Sequence, residues 1–324
     1  MLNYLFLFGG MALIIFSANW LVDGASGIAK KFGISDLVIG LTIVAFGTSA
    51  PELTVNVFSA LQGSTDIAIG NVLGSNIANI FLILGVAALI YPLSIQRNTT
   101  WKEIPLSLLA AVVLGVLAND QLIDRSTTGS EVSRIDGIVL LCFFLIFMVY
   151  TFEIARSQKE AIDESIKPVP LWKGLLLIAI GLLGLYFGGK YLVEGAIVIA
   201  REFGMSERLI GLTIIAIGTS LPELATSVVA AFKKKADIAI GNVVGSNIFN
   251  IFFILGVTSV LKPLPFVPAA NFDIIATILA SLLLFLTTFT LGRKSVDRIE
   301  GGFFVLIYIG YIIYSLAMGS TTTA

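Results

Sequence analysis

The sequence predicts an all-α membrane protein with ten transmembrane helices, arranged as two five-helix halves of opposite orientation. Three observations lead to this fold class. The 324 residues are 57% hydrophobic and 13% charged, with a mean hydropathy of +0.98, whereas an ordinary soluble domain carries about 25% charged residues. Apolar segments of about 20 residues recur along the chain, and each can cross ~30 Å of hydrocarbon as a helix. A long internal repeat divides the chain.

Ten apolar segments follow one another, and a polar stretch separates the fifth from the sixth. Their approximate bounds are 2–28, 34–61, 66–91, 101–118, 136–155, 170–200, 206–231, 237–261, 270–292 and 300–318. The polar stretch at 156–169 is predicted to be a cytoplasmic linker. We therefore expect a first half at 1–155 and a second half at 170–324.

The internal repeat relates the two halves at an offset of 171 residues. Gly40–Leu89 aligns without gaps to Gly211–Val260, and 31 of the 50 positions are identical. The segments at 18–40 and 189–211 align at the same offset. Because each half has an odd number of spans, the second half must enter the membrane from the opposite side. Inverted repeats of this kind are typical of folds with a binding site at the bilayer midplane, between the halves.

The distribution of basic residues predicts the orientation. With both termini outside, the inner loops hold fourteen Lys and Arg residues and the outer loops hold five. Cytoplasmic loops of membrane proteins carry an excess of positive charge in this way. We expect a multi-pass protein of the cytoplasmic (inner) membrane, in contact with membrane lipids and with both termini on the outer side.

The composition excludes several classes of function. The net charge is −1, without the basic footprint that nucleic-acid binding usually shows. Histidine is absent and Cys142 is the single cysteine, so a metal site built from imidazole or several thiolates is excluded. We expect Cys142 to be a small buried apolar side chain. Oxygen ligands remain, and they suit hard cations such as Ca²⁺ and Na⁺.

Each copy of the repeat places a carboxylate inside an apolar span. The phrases are GTSAPEL at Gly47–Leu53 and GTSLPEL at Gly218–Leu224, with Glu52 and Glu223 at matching positions. A charged side chain near the bilayer centre costs about 2.5–3.5 kcal/mol on insertion scales. Two such residues in a doubled context favour a cation site over the alternative, a hydrogen-bonded bridge between helices.

The prolines in these phrases predict an interrupted helix in each half. Pro51 and Pro222 lack the N–H that would bond the carbonyls of Gly47 and Gly218. Within lipid, such a break is tolerated only where protein or a water-filled cavity satisfies the freed groups. Carbonyls released at 45–48 and 216–219 become candidate cation ligands. Interruptions at corresponding places in two halves indicate a binding site.

Helical spacing brings hydroxyl and amide groups near the carboxylates, because residues three and four apart share a helix face. The next helix of each half contains GSNIAN or GSNIFN. The predicted set is Thr48, Ser49, Ser75 and Asn79 in the first half and Thr219, Ser220, Ser246 and Asn250 in the second. These groups and two carboxylates can supply the roughly six to eight oxygens that Ca²⁺ prefers, and two carboxylates neutralise one Ca²⁺. For the two asparagines, ion contact and simple helix bridging stay equally open.

The paired phrases resemble the alpha-repeats of the sodium/calcium exchanger family, within the cation/Ca²⁺ antiporters. GTSAPELTVN with GNVLGSNIAN, and GTSLPELATS with GNVVGSNIFN, carry the resemblance at 40–89 and 211–260. The ten spans and the central linker extend it to essentially the whole chain. It implies Na⁺-driven Ca²⁺ exchange by alternating access, in a prokaryotic-type member without a regulatory domain. We expect no enzymatic activity, no cofactor and no obligate protein partner.

The resemblance also implies a ligand set. The Ca²⁺ site would use the side chains of Glu52 and Glu223 with the carbonyls of Thr48 and Thr219. The flanking Na⁺ sites would add Ala45, Ser75, Ala216 and Ser246, and the cluster is completed by Ser49, Ser220, Asn79 and Asn250. Family members that also move K⁺ carry Asp where this chain has Asn250. Two formal carboxylates then predict K⁺-independent exchange, which is electrogenic if more than two Na⁺ replace one Ca²⁺.

Three alternatives stay open from the sequence. A Ca²⁺/H⁺ antiporter would use protons to neutralise the two Glu residues, and other divalent cations such as Mn²⁺ or Sr²⁺ could also be carried. A passive cation channel would need no exchanged ion. A membrane scaffold without transport activity would show no ion-dependent stabilisation.

Overall fold

The computed structural model describes residues 2–63, 65–123, 125, 129–157, 169–203, 216–289 and 294–321. These residues form helices joined by short connections, together with four strands of two or three residues each. The prediction of an all-α membrane protein is confirmed.

Twelve helical segments make up the membrane part of the described chain. Their bounds are α1 Leu2–Phe32, α2 Asp36–Thr48, α3 Ala50–Gln62, α4 Ile67–Ile90, α5 Thr99–Leu117, α6 Arg134–Ser157, α7 Leu171–Glu202, α8 Ala216–Thr219, α9 Leu221–Phe232, α10 Ala236–Leu261, α11 Asn271–Thr287 and α12 Arg298–Thr321. The strands are β1 Leu93–Ser94, β2 Ser130–Val132, β3 Leu264–Phe266 and β4 Ser295–Val296. A single-turn helix at Asp120–Ile123 and a 3₁₀ turn at Pro268–Ala270 lie in the connections.

The number of membrane spans agrees with the prediction as far as the described residues reach. Eight helices are long and apolar enough to cross a membrane, and α2 with α3 forms a ninth span that bends by 43°. The seventh predicted span, 206–231, begins in a part of the chain outside the described residues, and only α8 and α9 of it are seen. The predicted linker lies mostly outside them as well. A total of ten spans therefore stays a prediction.

Two short β-ribbons show that the halves are inverted. β1 pairs with β4, and β2 pairs with β3, both antiparallel. Because α5 crosses the membrane from β1 to β2, the two ribbons lie at opposite faces. β1 follows α4 and β3 follows α10, so these two equivalent helices end at opposite faces of the membrane. They run in opposite directions, as the repeat predicted.

α4 and α10 form the centre of the molecule. In the most apolar stretch of α10, 94% of the residues are buried, and in that of α4 72% are buried, against 17–39% for the other long apolar helices. The peripheral helices expose large apolar side chains, as a lipid-facing surface requires. The expectation that Cys142 is buried was wrong, because it lies on the exposed face of α6.

α1 and α7 pack against each other along their length, although they belong to different halves. Glycines bring the two backbones close together. A Cβ added at Gly181 would lie 2.8 Å from the backbone nitrogen of Leu21, and one at Gly10 would lie 2.6 Å from that of Leu192. Small residues permit this close approach of membrane helices. The pair covers one side of the interrupted helices.

Candidate functional site

The interrupted helix is present in both copies of the repeat, at the predicted place. Ser49 separates α2 from α3 with φ −83° and ψ 7°, and Ser220 separates α8 from α9 with φ −88° and ψ 7°. Pro51 and Pro222 then fall within the first turn of the next helix. Proline is tolerated there because an N–H at that position has no intrahelical partner. The serine is the residue at which each helix changes direction.

One of the expected free carbonyls is already engaged. The Ala45 carbonyl accepts a hydrogen bond from the Ser49 N–H at 3.0 Å, and the Thr48 hydroxyl lies 3.3 Å from it. The Ala45 carbonyl is therefore not fully released, but its oxygen has a second lone pair that can face an ion. Its counterpart Ala216 begins α8. In the second copy the Ser220 N–H donates to the Ile217 carbonyl at 3.1 Å.

The two carboxylates are buried and each is held by the other half of the molecule. Glu52 and Glu223 lie in the first turns of α3 and α9, and each is 1% exposed. The Ser49 hydroxyl donates to Glu223 Oε1 at 3.0 Å, and the Ser220 hydroxyl lies 3.5 Å from Glu52 Oε1. Each carboxylate thus contacts the serine at the helix break of the opposite half. The first and second halves therefore build one site.

The serines of α4 and α10 extend this arrangement. Ser246 Oγ lies 3.1 Å from Ser49 Oγ, and Ser75 Oγ lies 3.2 Å from Ser220 Oγ. A hydroxyl carries a single proton, so Ser246 donates to Ser49 when Ser49 donates to Glu223. Each carboxylate thus ends a chain of two hydroxyl groups.

The threonines of the motif contact two asparagines, one of α4 and one of α10. The Thr48 hydroxyl lies 3.1 Å from Asn242 Oδ1, and the Thr219 hydroxyl lies 3.4 Å from Asn71 Oδ1. The Asn242 amide also donates to the Glu223 carbonyl at 3.2 Å. These asparagines tie the broken helices to α4 and α10, which agrees with a structural role.

Four buried oxygen atoms of the predicted ligand set have no hydrogen-bond partner. They are Glu52 Oε2, Glu223 Oε2, Asn79 Oδ1 and Asn250 Oδ1, two from each half at equivalent positions. Buried polar atoms are rarely left unpaired in a folded protein. An arrangement that offers only acceptors, two of them anionic, is suited to a hard cation. Hydrogen bonds join Ser49 and Ser246 to Glu223, and Ser220 and Ser75 to Glu52. Asn79 and Asn250 instead bond to asparagines where α4 crosses α10.

Two clefts lie between α7 and the helix breaks. A cleft of about 280 Å³ is lined by Pro51, Thr219 and Pro222 together with Lys190 and Glu194 of α7. A neighbouring apolar cleft of about 390 Å³ shares both prolines. Both clefts therefore reach Pro51 and Pro222 at the helix breaks, on the side that α7 covers.

Glu103 is a buried acid that the sequence did not single out. Glu103 is 0% exposed and lies in α5, and its Oε1 accepts a hydrogen bond from the Tyr150 hydroxyl of α6. Its Oε2 has no partner. Nothing in the spacing distinguishes Glu103, since it stands beside Lys102 near the end of an apolar segment, where charged residues are common.

Comparisons with known proteins agree with this architecture. A family profile described as sodium/calcium exchanger protein matches residues 2–153 and 173–317. CaxA of Alkalimonas amylolytica, named as a candidate antiporter, is 42% identical over 313 residues, covering 95% of this chain and 96% of CaxA. The sodium/calcium exchanger MaX1 of Methanosarcina acetivorans is 32% identical over 343 residues, covering 96% of this chain and 97% of MaX1. A solved structure of the sodium-calcium exchanger NCX_Mj, soaked with Na⁺ and Ca²⁺, has a TM-score of 0.82 at 33% identity and covers 97% of this chain and 98% of its own.

A helical membrane fold with two inverted halves and a buried acceptor site between them defines a class of cation transporters. Within that class, the chain belongs to the sodium/calcium exchanger family. It is a multi-pass membrane protein and a cation/Ca²⁺ antiporter. The ions are its transported substrates.

Proposed function

We propose that this protein exchanges Na⁺ for Ca²⁺ by alternating access, at one site shared by both halves. The proposed ligands are the twelve residues predicted from the repeat: Ala45, Thr48, Ser49, Glu52, Ser75, Asn79, Ala216, Thr219, Ser220, Glu223, Ser246 and Asn250. One Ca²⁺ would lie between the two Glu side chains, and Na⁺ ions would use the serine and asparagine oxygens beside them.

The observation that supports this proposal is the crossed hydrogen bonding of the two carboxylates, in which the serine at each helix break contacts the Glu of the other half. Each Glu accepts from the serine of the opposite half and keeps its second oxygen buried without a partner. Two anions held together in this way are stable only with compensating positive charge, because a buried unpaired charge is costly. One divalent cation supplies that compensation.

Sodium is proposed as the coupling ion in preference to the proton. The neutral hydroxyl and amide oxygens around the carboxylates are ligands for a metal cation, which a proton does not need. MaX1 and NCX_Mj are both named as exchangers of sodium and calcium. NCX_Mj was also soaked with Sr²⁺, so we expect Sr²⁺ to compete with Ca²⁺ here.

The charge of the site makes the exchange electrogenic and independent of K⁺. With Asn250 in place of an acid, the site holds two formal carboxylates, which one Ca²⁺ neutralises. More than two Na⁺ would leave net positive charge, and that charge would cross the membrane during the Na⁺ step. No third carboxylate is offered for an additional K⁺.

The proposed halves are 1–155 and 170–324, with the repeat motifs at 40–89 and 211–260 and a cytoplasmic linker at 156–169. The excess of basic residues in one set of loops supports a cytoplasmic membrane location with both termini outside. α1 and α7, packed together over the clefts at the helix breaks, are the elements whose displacement would change access.

The test is uptake of radioactive Ca²⁺ into proteoliposomes loaded with Na⁺. Wild-type protein takes up Ca²⁺ only while a Na⁺ gradient exists, omission of K⁺ changes nothing, and an inside-positive potential accelerates uptake because net positive charge leaves. Glu52→Gln and Glu223→Gln each lower uptake by about a hundredfold or more, since an uncompensated buried charge costs about 3–5 kcal/mol. Glu153→Gln, which changes an exposed carboxylate on α6, is the matched control.

Other outcomes identify the alternatives. Uptake driven by a proton gradient without Na⁺ would establish Ca²⁺/H⁺ exchange. Ca²⁺ flux that needs no internal ion would indicate a channel. Uptake at wild-type rate in both Gln variants would remove the carboxylates from the mechanism.

A further inference from the structure

Four asparagines form a closed hydrogen-bonded group where α4 crosses α10. The amide of Asn76 donates to the Asn247 carbonyl at 3.3 Å, and the amide of Asn247 donates to the Asn76 carbonyl at 3.4 Å. Asn250 donates to Asn76 Oδ1 and Asn79 donates to Asn247 Oδ1, both at 2.9 Å. All four side chains are buried. The group has the same symmetry as the two halves.

The backbone fixes which way each amide points. A backbone carbonyl can only accept, so the side-chain atom that faces it from Asn76 or Asn247 must be the NH₂ group. The Oδ1 atoms of these two residues therefore face the amides of Asn250 and Asn79. Those amides must in turn present NH₂ to an acceptor. No alternative assignment of nitrogen and oxygen avoids placing two acceptors against each other.

The asparagine group determines the direction in which the side-chain oxygens of Asn79 and Asn250 point. With their nitrogens held by the other helix, Asn79 and Asn250 direct Oδ1 away from the asparagine group, and these are two of the four buried oxygens without a partner. Both residues lie within π-helical turns, Asn79–Leu84 and Phe249–Leu255. Such turns are frequently found at functional sites.

We propose that Asn76 and Asn247 are positioning residues that make Asn79 and Asn250 present oxygen, and never nitrogen, to the transported cation. This inference rests on the proposed function of the site. An amide that flips would turn a ligand into an NH₂ group that repels the ion. The pair thus sets the sign of the dipole that the cation meets, without touching the ion.

Two substitutions of the same residue separate this role from simple packing. Asn247→Leu removes the acceptor for Asn79 and releases its amide. Asn247→Asp keeps an oxygen facing Asn79 but loses the NH₂ donor to the Asn76 carbonyl. Positioning predicts that Leu weakens ion binding by about tenfold, while Asp holds it within about threefold of wild type or strengthens it.

The measurement is the Ca²⁺ and Na⁺ concentration dependence of thermal stabilisation in purified protein, read separately from the melting temperature without ions. Asn119→Leu is the matched control, because Asn119 and Asn271 form another reciprocal amide pair, at 2.8 Å, between the connection after α5 and the start of α11. It is expected to lower the ion-free melting temperature and to leave apparent ion affinity unchanged. If Asn247→Leu cannot be purified folded, Asn76→Leu releases Asn250 in the same way.

The outcomes are distinct. Weaker binding in the Leu variants with binding retained in Asn247→Asp supports positioning. Equal loss in Leu and Asp, or a Leu variant that binds ions like wild type despite lower stability, overturns it. A wild-type protein that neither Ca²⁺ nor Na⁺ stabilises would instead contradict the proposed function itself.

Discussion

Glu103 and Tyr150 form a polar contact between α5 and α6. The Tyr150 hydroxyl donates to Glu103 Oε1, and the ammonium of Lys102 lies 5.4 Å from the centre of the Tyr150 ring. A cation over an aromatic face is attracted by the ring quadrupole. Tyr150 therefore links a buried acid to a basic residue near the membrane surface.

Tyr150→Phe is expected to destabilise the protein. The substitution leaves Glu103 Oε1 without its donor, and an unsatisfied buried group costs about 1–3 kcal/mol. The measurement is the apparent melting temperature in detergent, with Tyr314→Phe, an exposed tyrosine on α12, as control. Combining Tyr150→Phe with Glu103→Leu should recover part of the loss. Equal melting temperatures for wild type and Tyr150→Phe would contradict this account.

At the level of residues, local spacing identified the ligand candidates but not their partners. The sequence placed Ser49 on the face of Glu52 in the same helix, whereas Ser49 donates to Glu223 of the other half. Periodicity describes neighbours along one helix; it contains no information on which helix packs opposite. Glu103 was missed for the same reason, because its burial depends on how α5 and α6 meet.

Among the helices, the close pair α1 and α7 and the bent pair α2 and α3 decide how the site is enclosed. The position of the bend followed from sequence, since proline lacks the required N–H. The contact of α1 with α7 did not. Glycines are frequent in membrane helices, and only the structure shows which of them face a neighbouring backbone.

Two glycines of α7 differ in how closely α1 packs against them, and this difference can be tested by substitution. A Cβ at Gly181 would meet the Leu21 nitrogen at 2.8 Å and the Ser17 carbonyl at 2.9 Å, whereas one at Gly189 meets nothing within 4 Å. Gly181→Ala must push α1 away, and overpacking of this kind costs about 1–3 kcal/mol. Gly189→Ala should be neutral or slightly stabilising, because alanine favours the helix.

The comparison is made by thermal unfolding of both variants under one set of conditions. A lower melting temperature for Gly181→Ala alone supports the described contact between α1 and α7. Indistinguishable curves would mean that the two helices are not packed at Gly181 as the structure has them.

For the whole molecule, the inverted arrangement was predictable because it follows from an odd number of spans in each repeat. The two β-ribbons were not, since strands of two or three residues leave no periodic signal. The ribbons connect the two halves through hydrogen bonds, which the repeat in the sequence does not indicate. Each ribbon joins a loop of the first half to a loop of the second, one at either face of the membrane.

Cysteine labelling tests this arrangement. In a Cys142→Ser background, Ser94→Cys of β1 and Glu131→Cys of β2 place exposed thiols at the two ribbons. A membrane-impermeant thiol reagent applied to intact cells should label Glu131→Cys and spare Ser94→Cys until the membrane is permeabilised. The positive-inside distribution gives this direction. Labelling of both thiols from one side would contradict the inverted arrangement.

The crossed hydrogen bonding of Glu52 and Glu223 has a consequence for how the duplicated protein evolved. Since each acid accepts a hydrogen bond from a serine of the other half, a polypeptide of half this length could not form the ion site by itself. It would need a second copy inserted upside down, as an antiparallel homodimer with dual topology. Fusion of two such genes removes the need for both insertions to succeed independently. It also lets the duplicated positions diverge, as Ala50 and Leu221 already do.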